Sequence, residues 1–169
     1  GKVSAAIETI DLFQPVALTF RQALAQGTVE FIAESVWQAY YDRIYQEAVA
    51  PQRVREAGLR VVYSPLCGAG GEPVAHMLEK LGAEYHIPQS QKTPSGDFAT
   101  CPSPNPENDA SFAACYKLAD EVKPDLIMAT DPDSDRIAVA IPTASGYRKF
   151  SGNEMGCLLL QYILRAMKD

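Results

Sequence analysis

No two of the four cysteines stand at CxxC spacing: Cys67, Cys101, Cys115 and Cys157 are far apart. That argues against a zinc site and offers no disulfide framework, so reduced cysteines in a cytoplasmic protein are expected. There is no basic excess either. Lys and Arg number 15 against 21 Asp and Glu, a net charge of −6, with no basic stripe to displace counterions from nucleic acid. No apolar stretch is long enough to span a bilayer, and no positively charged leader precedes an apolar core. Neither nucleic acid nor membrane is therefore an expected partner. Internal repeats and low-complexity tracts are absent. The remaining picture, 47% hydrophobic and 21% charged over 169 residues, is that of an ordinary globular chain. Its length suits one domain, or one domain plus part of a neighbour. It begins Gly1-Lys2 rather than with methionine, so an excised piece of a longer protein is expected.

Residues 1–30 carry little pattern. Ile7, Ile10 and Phe13 give a weak helical spacing over 4–13, ahead of Pro15. From Ile32 the apolar positions Val36, Tyr40, Ile44 and Ala48 recur every fourth residue, predicting an amphipathic helix that ends before Pro51. Its aromatic residues Trp37, Tyr40, Tyr41 and Tyr45 suit a core or interdomain face better than a stacking platform.

After Gly58 strands and helices alternate. Residues 59–63 read as a strand, and 83–87, 125–130, 137–141 and 147–150 as four more. Val74, Met77, Leu78 and Leu81 mark a helix closed by Gly82, and Asn108 or Asp109 opens another carrying Phe112, Cys115, Ala119 and Val122. Ser151 and Glu154 have capping-box spacing ahead of a helix with Met155, Leu158, Leu159, Tyr162, Ile163 and Ala166 on one face. Helix-length crossovers predict an α/β fold, three-layer α/β/α with a mixed, mostly parallel sheet and an antiparallel hairpin at its edge. Ligands in such sheets gather outside the carboxyl ends of strands.

Residues 129–140, ATDPDSDRIAVA, fall at such an end. In an extended segment alternate residues share a side, so Asp131, Asp133 and Asp135 would converge while Pro132 and Ser134 face away. Three carboxylates at that range repel unless a cation neutralises them, and hard oxygens suit magnesium or calcium. A calcium EF-loop needs glycine sixth and glutamate twelfth, where Arg136 and Pro142 stand. A haloacid-dehalogenase phosphatase shares Asp-x-Asp but wants threonine or valine fifth, where Asp135 stands. A solvated acidic turn fits poorly between two apolar runs. Gly68-x-Gly70 after a strand suggests a dinucleotide fingerprint, with Glu84 near the ribose-acid position, but Pro73 replaces the third glycine and a structural turn is the better reading. His76 and His86 have no nucleophile or metal partner nearby in sequence and are read as structural. The proline-rich segment 88–107 is too long for an ordinary connection and is expected to be an ordered loop.

These residues together resemble the α-D-phosphohexomutases, the phosphoglucomutase and phosphomannomutase superfamily. DPDSDR at 131–136 matches that family's Asp-x-Asp-x-Asp-Arg metal loop in full. PLCGAGG at 65–71 is similar to its Pro-Leu-His-Gly-x-Gly turn, with Cys67 in place of histidine. SGDFATCPSPNPE at 95–107 resembles its Asp-Gly-Phe-Pro…Pro-Asn-Pro-Glu segment, and SGNEMGCLLLQYI at 151–163 its Gly-Asn-Glu helix. The motifs run in family order over 59–165, and their wording leans to the branch that includes phosphopentomutases.

The resemblance implies the second of four domains: residues 1–30 a tail of the first domain with its linker, and 31–169 the metal-binding domain II, ending in the helix that leads to domain III. It implies an isomerase that interconverts hexose 1-phosphate and hexose 6-phosphate through a phosphoserine and a bisphosphate. Asp131, Asp133 and Asp135 would hold Mg2+, and Arg136 would contact the phosphosugar, the alternative for Arg136 being an ion pair with the loop's own aspartates. No catalytic residue is expected in this piece, because the phosphoserine lies upstream, so the piece alone is expected to be inactive. Thr143-Ala144-Ser145 echoes the family's serine loop but lies on the wrong side of the metal loop and reads as turn chemistry. The alternatives are a non-catalytic metal-binding or assembly domain and a haloacid-dehalogenase-like phosphatase piece.

Overall fold

The structure, a computed structural model, describes residues 1–11, 13–14 and 18–167. Its chain divides into two compact units, Gly1–Ala39 and Tyr40–Asp169. In the first, helix α1 (Lys2–Glu8) buries nothing and stops short of the expected Phe13. The expected break at Pro15 lies outside the described residues. Helix α2 (Phe20–Ala25) was not foreseen, although its signal was legible. Thr19 and Gln22 form a capping box, with the Gln22 N–H donating to Thr19 Oγ1 and the Thr19 N–H to Gln22 Oε1 at 2.9 Å. Helix α3 (Glu34–Gln46) begins in the first unit and runs into the second.

The second unit is the α/β body. It comprises α4 (Gln52–Glu56), β1 (Arg60–Ser64), α5 (Gly71–Leu81), β2 (Glu84–His86), α6 (Ala113–Val122), β3 (Leu126–Thr130), β4 (Ile137–Thr143), β5 (Gly146–Phe150) and α7 (Gly152–Ala166). The sheet order is β2-β1-β3-β4-β5. β1 pairs in parallel with β2 and β3, whereas β4 is antiparallel to both β3 and β5. Four strands thus share one direction and β4 alone opposes them. The mixed, mostly parallel sheet is present, although its pairings divide evenly.

Three layers follow from topology. The β1-α5-β2 crossover moves to one side of β1 and the β2-α6-β3 crossover to the other. Crossovers of one hand but opposite direction must use opposite faces of the sheet. Strand alternation agrees: Val62, Ile127 and Ala129 pack with Phe112, Cys115 and Ala119 on the α6 side. Val61, Tyr63, Leu126 and Met128 pack with Val74 and Leu78 on the α5 side. Gly82, at φ +80°, ends α5 in the left-handed conformation that favours glycine.

The proline-rich segment is tied down. Gln91, 2% exposed, accepts from Ser64 Oγ at 2.7 Å, and Ser111 Oγ donates to the Ser103 and Asn105 carbonyls. His76 stacks on Tyr41 with centroids 4.0 Å apart, and His86 Nε2 lies 2.9 Å from Glu84 Oε1, so both histidines have structural partners. Tyr41 is the buried aromatic of α3. All four cysteines are free. No helix among the described residues is long and apolar enough to cross a membrane.

Candidate metal centre

The strand order places a switch point between β1 and β3, where successive crossovers depart in opposite directions. Ligand sites of open α/β sheets form at the carboxyl ends beside such a point. Two loops meet there: 65–70 after β1 and 131–136 after β3.

The second loop connects an antiparallel pair, since Thr130 faces Ile137 across the ladder. Pro132 has no N–H to extend the strand, and the loop closes on itself instead. The Ser134 N–H donates to the Asp131 carbonyl at 3.0 Å, the Asp131 N–H to the Arg136 carbonyl at 3.2 Å, and Ser134 takes φ +63°. A turn, not an extended strand, therefore gathers the carboxylates. The Ser134 side chain turns towards the neighbouring loop, its Oγ 2.5 Å from where a Gly70 side chain would begin.

Convergence itself is as expected. One oxygen from each of Asp131, Asp133 and Asp135 lies within 4.8 Å of the others, the one such acidic, His or Cys group among the described residues. Their environments differ sharply. Asp131 is 1% exposed, while Asp133 and Asp135 face solvent. Burial alone would raise the Asp131 pKa, but it is outweighed by Arg136, whose backbone N–H reaches Oδ1 at 3.0 Å and whose Nε–H reaches Oδ2 at 2.8 Å. The Asp131 carboxyl is held below its ordinary value. Asp135 is pushed above its own, first by the hydrogen bond it shares with Asp131, then by the charges of Asp133 and Asp131. Arg136, at 3.7 Å from Asp135, only partly offsets that crowding. An all-oxygen donor set with unrelieved negative charge is what a small divalent cation fits. Arg136 is committed to Asp131 through Nε yet half exposed, and it lines a cavity of about 650 Å³ with Lys149, Asn153 and Glu154.

The glycine loop supports this one. The Gly68 N–H donates to the Pro65 carbonyl at 2.8 Å, with Leu66 and Cys67 both at positive φ, and the next N–H, of Ala69, donates across to the Pro132 carbonyl at 2.8 Å. A Cβ on Gly68 would collide with the Pro132 backbone, and one on Gly70 would meet Ser134 Oγ, Tyr63 Oη and Thr130 Oγ1. The glycines leave room for the aspartate loop, which settles their structural reading. Sequence reasoning missed Tyr63 and Thr130, which sit beneath the loop. Their signal was position alone: each stands at or next to the last residue of a strand that feeds a motif. Ser145 behaves as turn chemistry, its Oγ 3.4 Å from Thr143 Oγ1.

The family described as "Phosphoglucomutase/phosphomannomutase, alpha/beta/alpha domain II" matches residues 38–146, which include both loops. The probable phosphomannomutase of Haemophilus influenzae is 37% identical over 109 residues, 63% of this chain and 22% of that one. The probable phosphoribomutase of Schizosaccharomyces pombe is 35% identical over 114 residues, 66% of this chain and 19% of that one. The phosphoglucomutase of Staphylococcus epidermidis is 30% identical over 142 residues, 83% and 26%. The chain spans about a fifth to a quarter of the length of these curated relatives.

Proposed function

Since this chain belongs to the phosphoglucomutase/phosphomannomutase family through its α/β/α domain II, we propose that it is the metal-holding part of a phosphohexomutase. The observation that carries the reading is the three-carboxylate turn at the β1/β3 switch point, with an arginine locked to its buried member. Asp131, Asp133 and Asp135 are the residues we assign to Mg2+. When bound, such an ion neutralises charge on the oxygens of a phosphoryl group in transfer. Asp131 does two tasks. It offers oxygen to the centre and orients Arg136, whose terminal N–H groups we assign to the phosphate of a hexose 1-phosphate, hexose 6-phosphate or bisphosphate. Asp133 and Asp135 are exposed, and we assign the substrate's approach to their side.

The whole reaction needs more than this chain. We assign 1–30 to the tail of a preceding domain that carries the phosphoserine, and 31–169 to domain II with α7 leading to a third domain. The 169 residues alone should then show no mutase turnover from glucose 1-phosphate with magnesium and bisphosphate primer; turnover above a buffer blank would sink the assignment. The metal reading is tested separately. Binding to the folded state stabilises it by about 2.7 kcal/mol at a hundredfold excess over Kd. Millimolar Mg2+ should therefore raise the Tm of the wild-type chain, and Asp133→Asn should blunt the rise without lowering the metal-free Tm, because it removes a repulsion. If Mg2+ leaves wild type unmoved while Asp133→Asn collapses the fold, the loop is a hydrogen-bonding turn and no metal site.

A further inference from the structure

Tyr63 has no exposed surface and lies on the α5 side of the sheet. Burying a phenol hydroxyl costs free energy unless it finds a partner, and a phenylalanine would fill the same space without that cost. The hydroxyl's partner is Thr130 Oγ1, 2.8 Å away. Thr130, itself 6% exposed, is the last residue of β3 and immediately precedes Asp131. A third hydroxyl joins them. A side chain at Gly70 would begin 2.7 Å from Tyr63 Oη, 3.0 Å from Thr130 Oγ1 and 2.5 Å from Ser134 Oγ, so all three face one point. Ser134 stands between Asp133 and Asp135, at φ +63°.

Tyr63 Oη and Thr130 Oγ1 hold each other at the residue that precedes the aspartate loop, and Ser134 Oγ, from the exposed middle of that loop, faces the same point. Asp131 has Arg136 to orient it, but Asp133 and Asp135 are exposed, and their placement rests on the backbone that carries them. We infer that Tyr63 and Thr130 are positioning residues for the metal loop: the buried hydroxyl pair fixes the end of β3 and the turn above it, and so the spacing of the carboxylates. The inference rests on the metal reading above and deepens it.

Isothermal titration of the 169-residue chain with Mg2+ alone separates the two. Wild type against Asp133→Asn tests the metal reading first. Groups that orient a metal's ligands typically account for 10- to 100-fold in affinity, so Tyr63→Phe and Thr130→Val should each weaken Mg2+ binding about tenfold. Thr130→Ser, which keeps the hydroxyl, should stay within about twofold of wild type. Because the pair acts as one unit, the double variant Tyr63→Phe/Thr130→Val should bind no worse than either single. Metal-free melting curves report folding independently. Wild-type affinity in Tyr63→Phe, equal losses in Thr130→Ser and Thr130→Val, or additive losses in the double variant would overturn the positioning role while leaving the metal site intact. Should Tyr63→Phe not fold, the Thr130→Ser and Thr130→Val pair decides. No Mg2+ binding by wild type overturns both readings.

Discussion

Helices α6 and α7 begin from similar sequence signals and end in opposite states. Each has apolar residues at helical spacing, and each belongs to the α/β unit. Around α6, Phe112, Cys115 and Ala119 are wholly buried against the sheet. Along α7 nothing is buried, although Leu158, Leu159, Leu160, Tyr162, Ile163 and Leu164 form a denser apolar surface, between 41% and 59% exposed. They cover most of the helix's girth, leaving a polar stripe at Glu154, Gln161 and Arg165, and so wide an apolar surface normally seeks cover. The difference teaches that periodicity reports which face seeks cover, while covering depends on what the chain brings to it. α6 has the sheet by virtue of the crossover from β2 to β3, whereas α7 follows the edge strand β5.

The comparison can be broken most directly by truncating one residue at each helix, Phe112 at the N-cap of α6 and Leu160 within α7. Phe112→Ala should cost about 3–5 kcal/mol in urea denaturation, as buried aromatic truncations do. Leu160→Ala, at a position 59% exposed, should stay within about 0.5 kcal/mol. Equal costs would mean that α7 is as well packed as α6.

A second effect belongs to the covered region alone. Burial pushes the Cys115 thiol from 9.0 up to about 12 and the Tyr63 phenol from 10.0 up to about 12, against smaller lowering by hydrogen bonds from Ser64 and Thr130. Both groups hold their protons more tightly folded than unfolded. Their stabilisation is complete below the unfolded values and is lost as pH rises towards the folded ones. Stability should therefore decline from about pH 9, by as much as about 1.4 kcal/mol per pH unit for each group. Cys115→Ala should flatten the first part of that slope in denaturation curves taken at successive pH values; an unchanged slope would place the alkaline sensitivity elsewhere.

Two glycines sharpen the contrast on the smallest scale. Gly68→Ala forces the 65–70 loop off Pro132 and should cost on the order of 1–3 kcal/mol, with loss of the Mg2+-induced rise in Tm. Gly156→Ala, inside α7 with nothing within 4 Å of the new Cβ, should instead stabilise by roughly 0.5–1 kcal/mol through helix propensity. A destabilising Gly156→Ala would show that this face of α7 is already in contact.

Local chemistry was legible in the sequence wherever one stretch of chain suffices to determine the outcome. The capping box at Ser151 and Glu154, the glycine stop at Gly82, the five strands and the Asp-x-Asp-x-Asp-Arg loop are of this kind, and all appear where spacing placed them. Helix α4 was missed because it offers barely one turn of pattern, and α2 because its one signal is the Thr19–Gln22 capping box. The pair between Arg136 Nε and Asp131 closes within one loop, five residues apart, but tertiary structure alone decided which aspartate is buried and why Gly68 and Gly70 carry no side chain. Those outcomes depend on loops that meet across long separations, as Tyr63 and Thr130 do from 67 residues apart. Periodicity within a helix or strand reaches only a few residues along the chain. Burial, and with it the sign of a carboxylate's pKa shift, is set by whatever other segment the fold brings alongside.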